Sequence, residues 1–216
     1  LSDDYEGGQR MVHTLAEGIT AFLLKRTQPK EESEIYTYGI ELIISGLLGA
    51  VLVILAGCII NMPLYSIIYL AVIIPVRMYT GGYHADSRII CNIVFVGSFI
   101  CTICFTQFCL NNDLSGLMWL LDVMALLIIC RFAPLENHNK SLTEEEKCRY
   151  KTISIVTYIA IMSVSICLDI TGRILCVGNQ NIYSKMSLYI NSIQILIAVL
   201  LLVGIGKERL SHEKGI

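Results

Sequence analysis

The sequence has few charged residues, few prolines and one tryptophan. Asp, Glu, Lys and Arg make up 16% of its 216 residues, whereas a soluble domain carries about 25%. The formal net charge is −2 and no basic patch with interleaved aromatic residues is present, so we predict no nucleic-acid partner. The first 30 residues contain four acids and no uninterrupted apolar stretch, which argues against a signal peptide.

Cysteine is abundant, but its pattern does not indicate a disulfide framework, because the nine cysteines are odd in number and irregularly spaced. Several lie in or at the ends of apolar runs, where a thiol behaves as a small hydrophobe. These are Cys58, Cys101, Cys104, Cys109, Cys130 and Cys167. Cys101 and Cys104 form a CxxC without a second such sequence, so we interpret both as packing thiols rather than as a metal or redox site.

The chain is rich in long apolar runs. It is 55% hydrophobic with a mean hydropathy of +0.65, which predicts an all-α integral membrane protein. At this length we expect a single transmembrane domain over residues 1–216, built as a six-span helical bundle. The six predicted spans cover about 40–60, 63–76, 89–110, 114–132, 153–168 and 186–205.

One predicted span is doubtful. A helix needs roughly 17–25 residues to cross a bilayer, and segment 63–76 is shorter, with Pro63 at its start and Pro75 near its end. It is either a tilted span or a half-helix buried in protein. Segment 153–168 also looks slightly short.

The region before the first span predicts a further helix. Over residues 9–27, apolar side chains such as Leu15, Ile19 and Phe22 recur at helical spacing, with charged residues elsewhere on the wheel. This amphipathic helix either lies in the membrane interface or packs on the bundle.

Lysine and arginine placement predicts the orientation. With six spans, all of the 16 basic residues except Arg173 and Lys185 fall on one side. Because basic residues favour the cytoplasmic side, both termini are predicted to be cytoplasmic. The segment between the second and third spans, here named the Arg77–Cys91 motif, then faces the cytoplasm.

The Arg77–Cys91 motif is a polar segment between two apolar ones. It contains His84 and Cys91, seven residues apart, preceded by Gly81 and Gly82. Thiol and imidazole are the minimum groups for cysteine nucleophilic catalysis. On one straight helix they would stand about 10 Å apart, whereas a nucleophile–base hydrogen bond needs about 2.6–3.2 Å. The glycines therefore predict a re-entrant or broken loop that folds His84 back over the start of the third span.

Cys91 would then lie near a helix N-terminus, where the helix dipole favours a thiolate. Candidates to orient the imidazole are Asp86, which is close in sequence, and Asp122, an acid in the fourth span. Ser87 and Asn92 are alternatives. Asp122 could instead contact an arginine or be protonated. One histidine and one cysteine make an incomplete zinc set, so we predict no metal and no cofactor. Spacing alone also allows an ordinary loop histidine and helix-start cysteine.

The string Arg77-x-x-x-Gly81-Gly82-x-His84-Ala85-x-x-x-x-x-Cys91 resembles the signature of the AgrB family, the accessory gene regulator B proteins of Gram-positive bacteria. A second patch, Arg131-Phe132-Ala133-Pro134-Leu135-Glu136-Asn137-His138-Asn139-Lys140-Ser141-Leu142, is similar to the stretch after the fourth span in that family. The resemblance in size and topology extends over nearly the whole chain.

This resemblance implies a cysteine endopeptidase in the cell membrane that processes a quorum-sensing propeptide of the AgrD type at its cytoplasmic face. Cys91 would be the nucleophile and His84 the general base and acid. Loss of the C-terminal tail would leave an acyl-enzyme thioester, which an internal cysteine or serine would displace to give a cyclic thiolactone or lactone. Arg77 would bind the peptide, and N–H groups around Gly81 and Gly82 would form an oxyanion hole.

Two other functions fit the same residues. A peptide or small-molecule transporter would use the motif as a gating loop, with segment 63–76 as a broken helix. A non-catalytic membrane scaffold would rely on the small residues of the first span, which also permit a homodimer. These small residues are Ser45, Gly46, Gly49 and Ala50.

Overall fold

The computed structural model describes residues 14, 18–20, 30–81, 88–135, 143–175 and 182–213. Long α-helices account for most of these residues, and none of the described residues lies in a strand. In chain order the helices are α1 (Lys30–Ile59), α2 (Pro63–Thr80), α3 (Arg88–Asn111), α4 (Ser115–Phe132), α5 (Glu144–Leu175) and α6 (Ile182–Glu213).

The predicted six spans are confirmed, because all six helices are long and apolar enough to cross a membrane. Several helices extend beyond the approximate spans predicted from the sequence. The segment predicted at 153–168 is the apolar part of α5, which has 32 residues. The segment predicted at 63–76 continues to Thr80 as an 18-residue helix.

Proline does not break α2. Pro75 lies inside the helix, and membrane helices tolerate proline where neighbouring groups satisfy the freed carbonyl. Residues on the buried face of α2 recur at helical spacing on both sides of Pro75, as Tyr69, Val72, Ile73 and Val76 show. The half-helix alternative, which the transporter interpretation used, is therefore not observed.

The N-terminal helix predicted over residues 9–27 is described only at Thr14 and at residues 18–20, all of which are helical. The other residues of that prediction lie outside the described part of the chain. Thr20 is buried, and the hydroxyl of Thr37 in α1 donates a hydrogen bond to the Thr20 hydroxyl at 3.1 Å.

Two compact units divide the chain. Unit 1 comprises Leu1–Pro63 with Ala85–Gly97, and unit 2 comprises Leu64–His84 with Ser98–Ile216. The single domain predicted from chain length stays a prediction.

Within unit 1, α1 contacts the start of α3 through a glycine. Gly49 is buried, and a Cβ placed there would lie 3.1 Å from Asn92 Oδ1 and 3.3 Å from Phe95 Cδ1. A side chain at position 49 would therefore crowd the first turns of α3. Of the small residues noted in the first span, Gly49 takes part in helix packing, whereas a Cβ built at Gly46 would meet no other described part of the chain within 4 Å.

Within unit 2, α4, α5 and α6 pack against one another. Their contacts include several buried hydrogen bonds. The Tyr158 hydroxyl donates to Asp122 Oδ1 at 2.6 Å, and Gln194 Nε2 donates to the Tyr158 carbonyl oxygen at 3.0 Å. Ser165 hydrogen-bonds both Ser187 and Asn191 on α6. Membrane helices commonly associate through such polar side chains, because lipid supplies no hydrophobic driving force.

The first turn of α5 is capped by the side chains of Thr143, directly before the helix, and Glu146. The Glu146 N–H donates to Thr143 Oγ1 at 3.3 Å, and the Thr143 N–H donates to Glu146 Oε2 at 3.0 Å. This reciprocal arrangement is a capping box, with Thr143 as the N-cap. It explains why α5 begins well before its apolar part.

Candidate active site

The Arg77–Cys91 motif is described in two pieces. Its first piece ends α2 and includes Arg77 and Gly81, and its second piece begins α3 at Arg88 and includes Cys91. Gly82, His84 and Asp86 lie outside the described residues. The proximity of His84 to Cys91 and the re-entrant loop therefore stay predictions.

Gly81 ends α2 with a backbone conformation that favours glycine. Its φ is +72°, in the left-handed region that L-residues with a Cβ rarely adopt. Its N–H donates to the Arg77 carbonyl oxygen at 3.1 Å, which closes the last turn of the helix. Glycine thus suits the backbone at position 81, while the re-entrant loop predicted from Gly81 and Gly82 stays a prediction.

A second chain segment lies directly against Gly81. The Leu135 N–H donates to the Thr80 carbonyl oxygen at 3.0 Å. A Cβ on Gly81 would stand 2.7 Å from the Leu135 carbonyl oxygen. The second patch of the sequence thus contacts the Arg77–Cys91 motif at residues 80, 81 and 135, a contact that spacing along the chain did not predict.

A ring contact holds the same end of α2. Tyr79 meets Tyr150 of α5 edge to face, with ring centroids 5.8 Å apart. Such aromatic pairs contribute about 0.5–1.5 kcal/mol beyond their buried area. Arg77, one turn earlier, is half-buried. The C-terminal end of α2 is therefore attached to both α5 and the segment that follows α4.

Cys91 lies in the first turn of α3, three residues after the helix begins at Arg88. Its side chain is half-buried and its thiol is free. Asn92, the next residue, packs on Gly49 of α1. The first turn of a helix is where the helix dipole stabilises negative charge, so this position suits a nucleophilic sulfur.

Asp122 is fully buried in α4. It accepts a hydrogen bond from Tyr158, which is also 3.1 Å from the Asp122 carbonyl oxygen. Its second carboxylate oxygen, Oδ2, has no hydrogen-bond partner among the described residues. The contact with Tyr158 joins α4 to α5, a role that the sequence did not suggest. The role of Asp122 in orienting His84 stays a prediction.

The described cysteines are all free, and Cys101 and Cys104 are exposed on α3. Within the same described ranges, no group of three or more His, Cys, Asp or Glu side chains could hold a metal ion.

Comparison with known proteins gives a family match over most of the chain. The model of the family Accessory gene regulator B matches residues 16–203. An AgrB-like protein of Clostridium perfringens strain SM101 is 27% identical over 147 residues, which cover 62% of this chain and 68% of that protein. AgrB-like protein 2 of Clostridium perfringens strain 13 is 29% identical over 147 residues, which again cover 62% of this chain and 68% of that protein. No solved structure matches this chain significantly.

Proposed function

This chain belongs to the accessory gene regulator B (AgrB) family, and we propose that it is a membrane cysteine endopeptidase that cleaves and cyclises an AgrD-type propeptide. Family membership implies a part in quorum-sensing propeptide processing, and the six apolar helices make it a multi-pass membrane protein. The observation that carries the proposal is the half-buried free thiol of Cys91 in the first turn of α3, inside the motif that contains His84.

In the first step, Cys91 Sγ attacks the carbonyl carbon of the peptide bond that precedes the C-terminal tail. The His84 imidazole takes the thiol proton and then gives it to the nitrogen of the leaving tail. The C–N bond breaks and the propeptide is left as a thioester on Cys91.

In the second step, an internal cysteine or serine of the bound peptide attacks the thioester carbonyl. His84 takes its proton and returns it to the Cys91 sulfur as the C–S bond breaks. The product is a thiolactone or lactone ring. A site that excludes water favours this ring closure over hydrolysis, and a position at the membrane boundary suits that requirement.

Neighbouring groups have proposed roles as well. Arg77 binds a carboxylate or carbonyl oxygen of the peptide, and the N–H groups near Gly82 stabilise the oxyanion. Because the Gly81 N–H already donates to the Arg77 carbonyl, Gly81 contributes to an oxyanion hole only after that hydrogen bond opens. Asp122 or Asp86 orients His84.

The orientation of the protein follows the distribution of basic residues. We propose that both termini and the Arg77–Cys91 motif face the cytoplasm, since Arg173 and Lys185 are the only basic residues assigned to the opposite side. A homodimer is also proposed, with Gly46 available because it is exposed and a Cβ built there would meet none of the described neighbouring atoms within 4 Å.

Replacing the proposed nucleophile tests the function directly. Cys91→Ala and His84→Ala are each expected to lower propeptide cleavage in lipid vesicles by at least about 10³-fold, because nucleophile and base act as one unit. Mass spectrometry of the peptide would show the released tail and, for wild-type protein, a ring lighter by one water than the linear acid. Cys101→Ala is the matched control, since it removes an exposed thiol from the same helix.

Intact cleavage by Cys91→Ala protein that is inserted in the membrane would refute the endopeptidase proposal. Equal losses in Cys91→Ala and Cys101→Ala would mean that thiol removal damages α3 rather than the chemistry.

A further inference from the structure

The second patch of the sequence has no part in the chemistry proposed above, yet one of its residues contacts the Arg77–Cys91 motif. After α4 ends, the chain reaches Leu135, whose N–H donates to the Thr80 carbonyl oxygen at 3.0 Å. Thr80 is the last residue of α2 and is fully buried. The Thr80 hydroxyl also hydrogen-bonds the Gly81 carbonyl oxygen at 3.1 Å. These atoms form a backbone contact, named here the Gly81–Leu135 junction.

The junction leaves no room for a side chain at position 81. A Cβ there would lie 2.7 Å from the Leu135 carbonyl oxygen, 3.2 Å from Leu135 Cβ and 3.3 Å from Leu135 N. The nearest atom belongs to the backbone, so it cannot move without moving the segment that follows α4. The junction therefore requires glycine for its close approach, independently of the requirement set by φ.

We propose that the Gly81–Leu135 junction positions the start of the catalytic motif, with Gly81 and Leu135 as positioning residues for cleavage. His84 follows Gly81 by three residues, which reach at most about 10 Å. Fixing Gly81 thus limits where the imidazole can stand. A misplacement of about 1 Å between reacting groups can cost about 10²-fold in rate. This inference rests on the proposed endopeptidase function.

A simpler explanation for Gly81 makes a different prediction. Helices often end on a glycine in the left-handed conformation, and asparagine can replace that glycine. If Gly81 served only as a helix cap, Gly81→Asn would preserve activity. If the close approach matters, asparagine fails as alanine does, because both carry a Cβ at the same place.

The experiment uses full-length protein in lipid vesicles with a synthetic AgrD-type propeptide that the wild-type protein cleaves. Gly81→Ala and Gly81→Asn are each expected to lower kcat by about 10²-fold and to change KM less than threefold, measured per folded, monodisperse protein. A role in folding alone would reduce the yield of folded protein and leave kcat per folded molecule unchanged. Gly116→Ala is the matched control, since Gly116 is exposed on α4 and a Cβ there would meet none of the described neighbouring atoms within 4 Å.

Leu135→Pro provides a test that leaves position 81 intact. Proline lacks the N–H that donates to Thr80, so this variant is expected to show the same loss of kcat. If the Gly81 variants do not yield folded protein, Leu135→Pro decides the question.

Three results would overturn the inference: wild-type kcat in Gly81→Ala, restoration of kcat by Gly81→Asn alone, or wild-type kcat in Leu135→Pro. Cys91→Ala in the same assay separates the two proposals. If Cys91→Ala still cleaves, the endopeptidase function fails. If Cys91→Ala is inactive while the junction variants cleave normally, only the junction proposal fails.

Discussion

Helices α1 and α6 are both long enough to span a membrane, but they are built in opposite ways. In the most apolar part of α1, 18% of residues are buried, against 67% in α6. The exposed residues of α1 include Ile43, Leu47 and Val51, which repeat every four residues along one face. The buried residues of α6 include several polar ones, namely Ser184, Ser187, Asn191, Ser192 and Gln194.

This difference follows from the solvent. In water, apolar side chains go inside because burial removes them from water. In lipid, an apolar helix gains nothing from burial, while polar groups must find partners inside the protein. The Ser165–Ser187 hydrogen bond of 2.9 Å and the contact of Gln194 with Tyr158 are such partners. In this protein, buried positions therefore often hold polar side chains that bind one another, and apolarity alone does not distinguish a buried residue from an exposed one.

The largest stability effect is expected at Asp122. Removing its carboxylate in Asp122→Ala leaves the buried Tyr158 hydroxyl with only the 3.1 Å contact to the Asp122 carbonyl oxygen. The expected loss is about 1–2 kcal/mol in the free energy of unfolding, measured by denaturant titration in mixed micelles. Val123→Ala, which truncates the exposed neighbouring residue, should stay within about 0.5 kcal/mol. Equal losses of unfolding free energy in Asp122→Ala and Val123→Ala would refute the explanation that the hydrogen bond between Asp122 and Tyr158 stabilises the protein.

Asp122→Asn separates the structural role of this residue from its proposed catalytic role. Asparagine keeps an oxygen that accepts from Tyr158, so stability should change by less than about 1 kcal/mol. A loss of propeptide cleavage in this stable variant would support Asp122 as the group that orients His84, and unchanged cleavage would leave that role to Asp86 or another group.

A smaller effect is expected at Ser165, whose hydroxyl contacts Ser187 and Asn191 of α6. Hydrogen bonds between membrane helices contribute about 0.6 kcal/mol on average and up to about 1.7. Ser165→Ala should therefore destabilise by roughly that amount. Ser163→Ala is the control, because the Ser163 hydroxyl is exposed and bonds the Ile159 carbonyl of its own helix. If Ser165→Ala lowers the unfolding free energy no more than Ser163→Ala does, the contact of Ser165 with α6 does not stabilise the protein.

The smallest effect is expected in unit 1, at Gly49. Alanine there would meet side-chain atoms of Asn92 and Phe95 at 3.1 and 3.3 Å. These atoms can shift by a few tenths of an ångström, and alanine gains roughly 0.5–1 kcal/mol over glycine inside a helix. The unfolding free energy of Gly49→Ala should thus stay within about 0.5 kcal/mol of wild type. A large loss of stability or cleavage would show that the α1–α3 contact is as rigid as the Gly81–Leu135 junction.

Hydropathy predicted the number of membrane-spanning helices, and several of these helices are longer than the predicted spans. The second span was predicted to end at about residue 76, and α2 continues through Arg77 to Thr80. The fifth span was predicted to start at about residue 153, and α5 begins at Glu144. Apolarity marks only the part of a helix that faces lipid, whereas hydrogen bonding and capping extend the helix beyond it.

The roles predicted for the residues of the candidate site stay predictions, and the contacts that support this site were not predicted. The position of Cys91 in the first turn of α3 agrees with the prediction. The contact of Leu135 with Thr80 and Gly81 could not be inferred, because no periodicity relates residues so far apart in the chain. The Tyr158–Asp122 contact was missed for the same reason.

The capping box of α5 has a consequence for the chain that precedes it. Thr143 and Glu146 each accept a hydrogen bond from the N–H of the other, so the cap of α5 is supplied by α5 and the residue directly before it. A change in the length of the chain before Thr143 therefore leaves both partners of this cap in place. An affinity tag inserted at residue 139 should leave the helix, and the tyrosine contact it carries, in place.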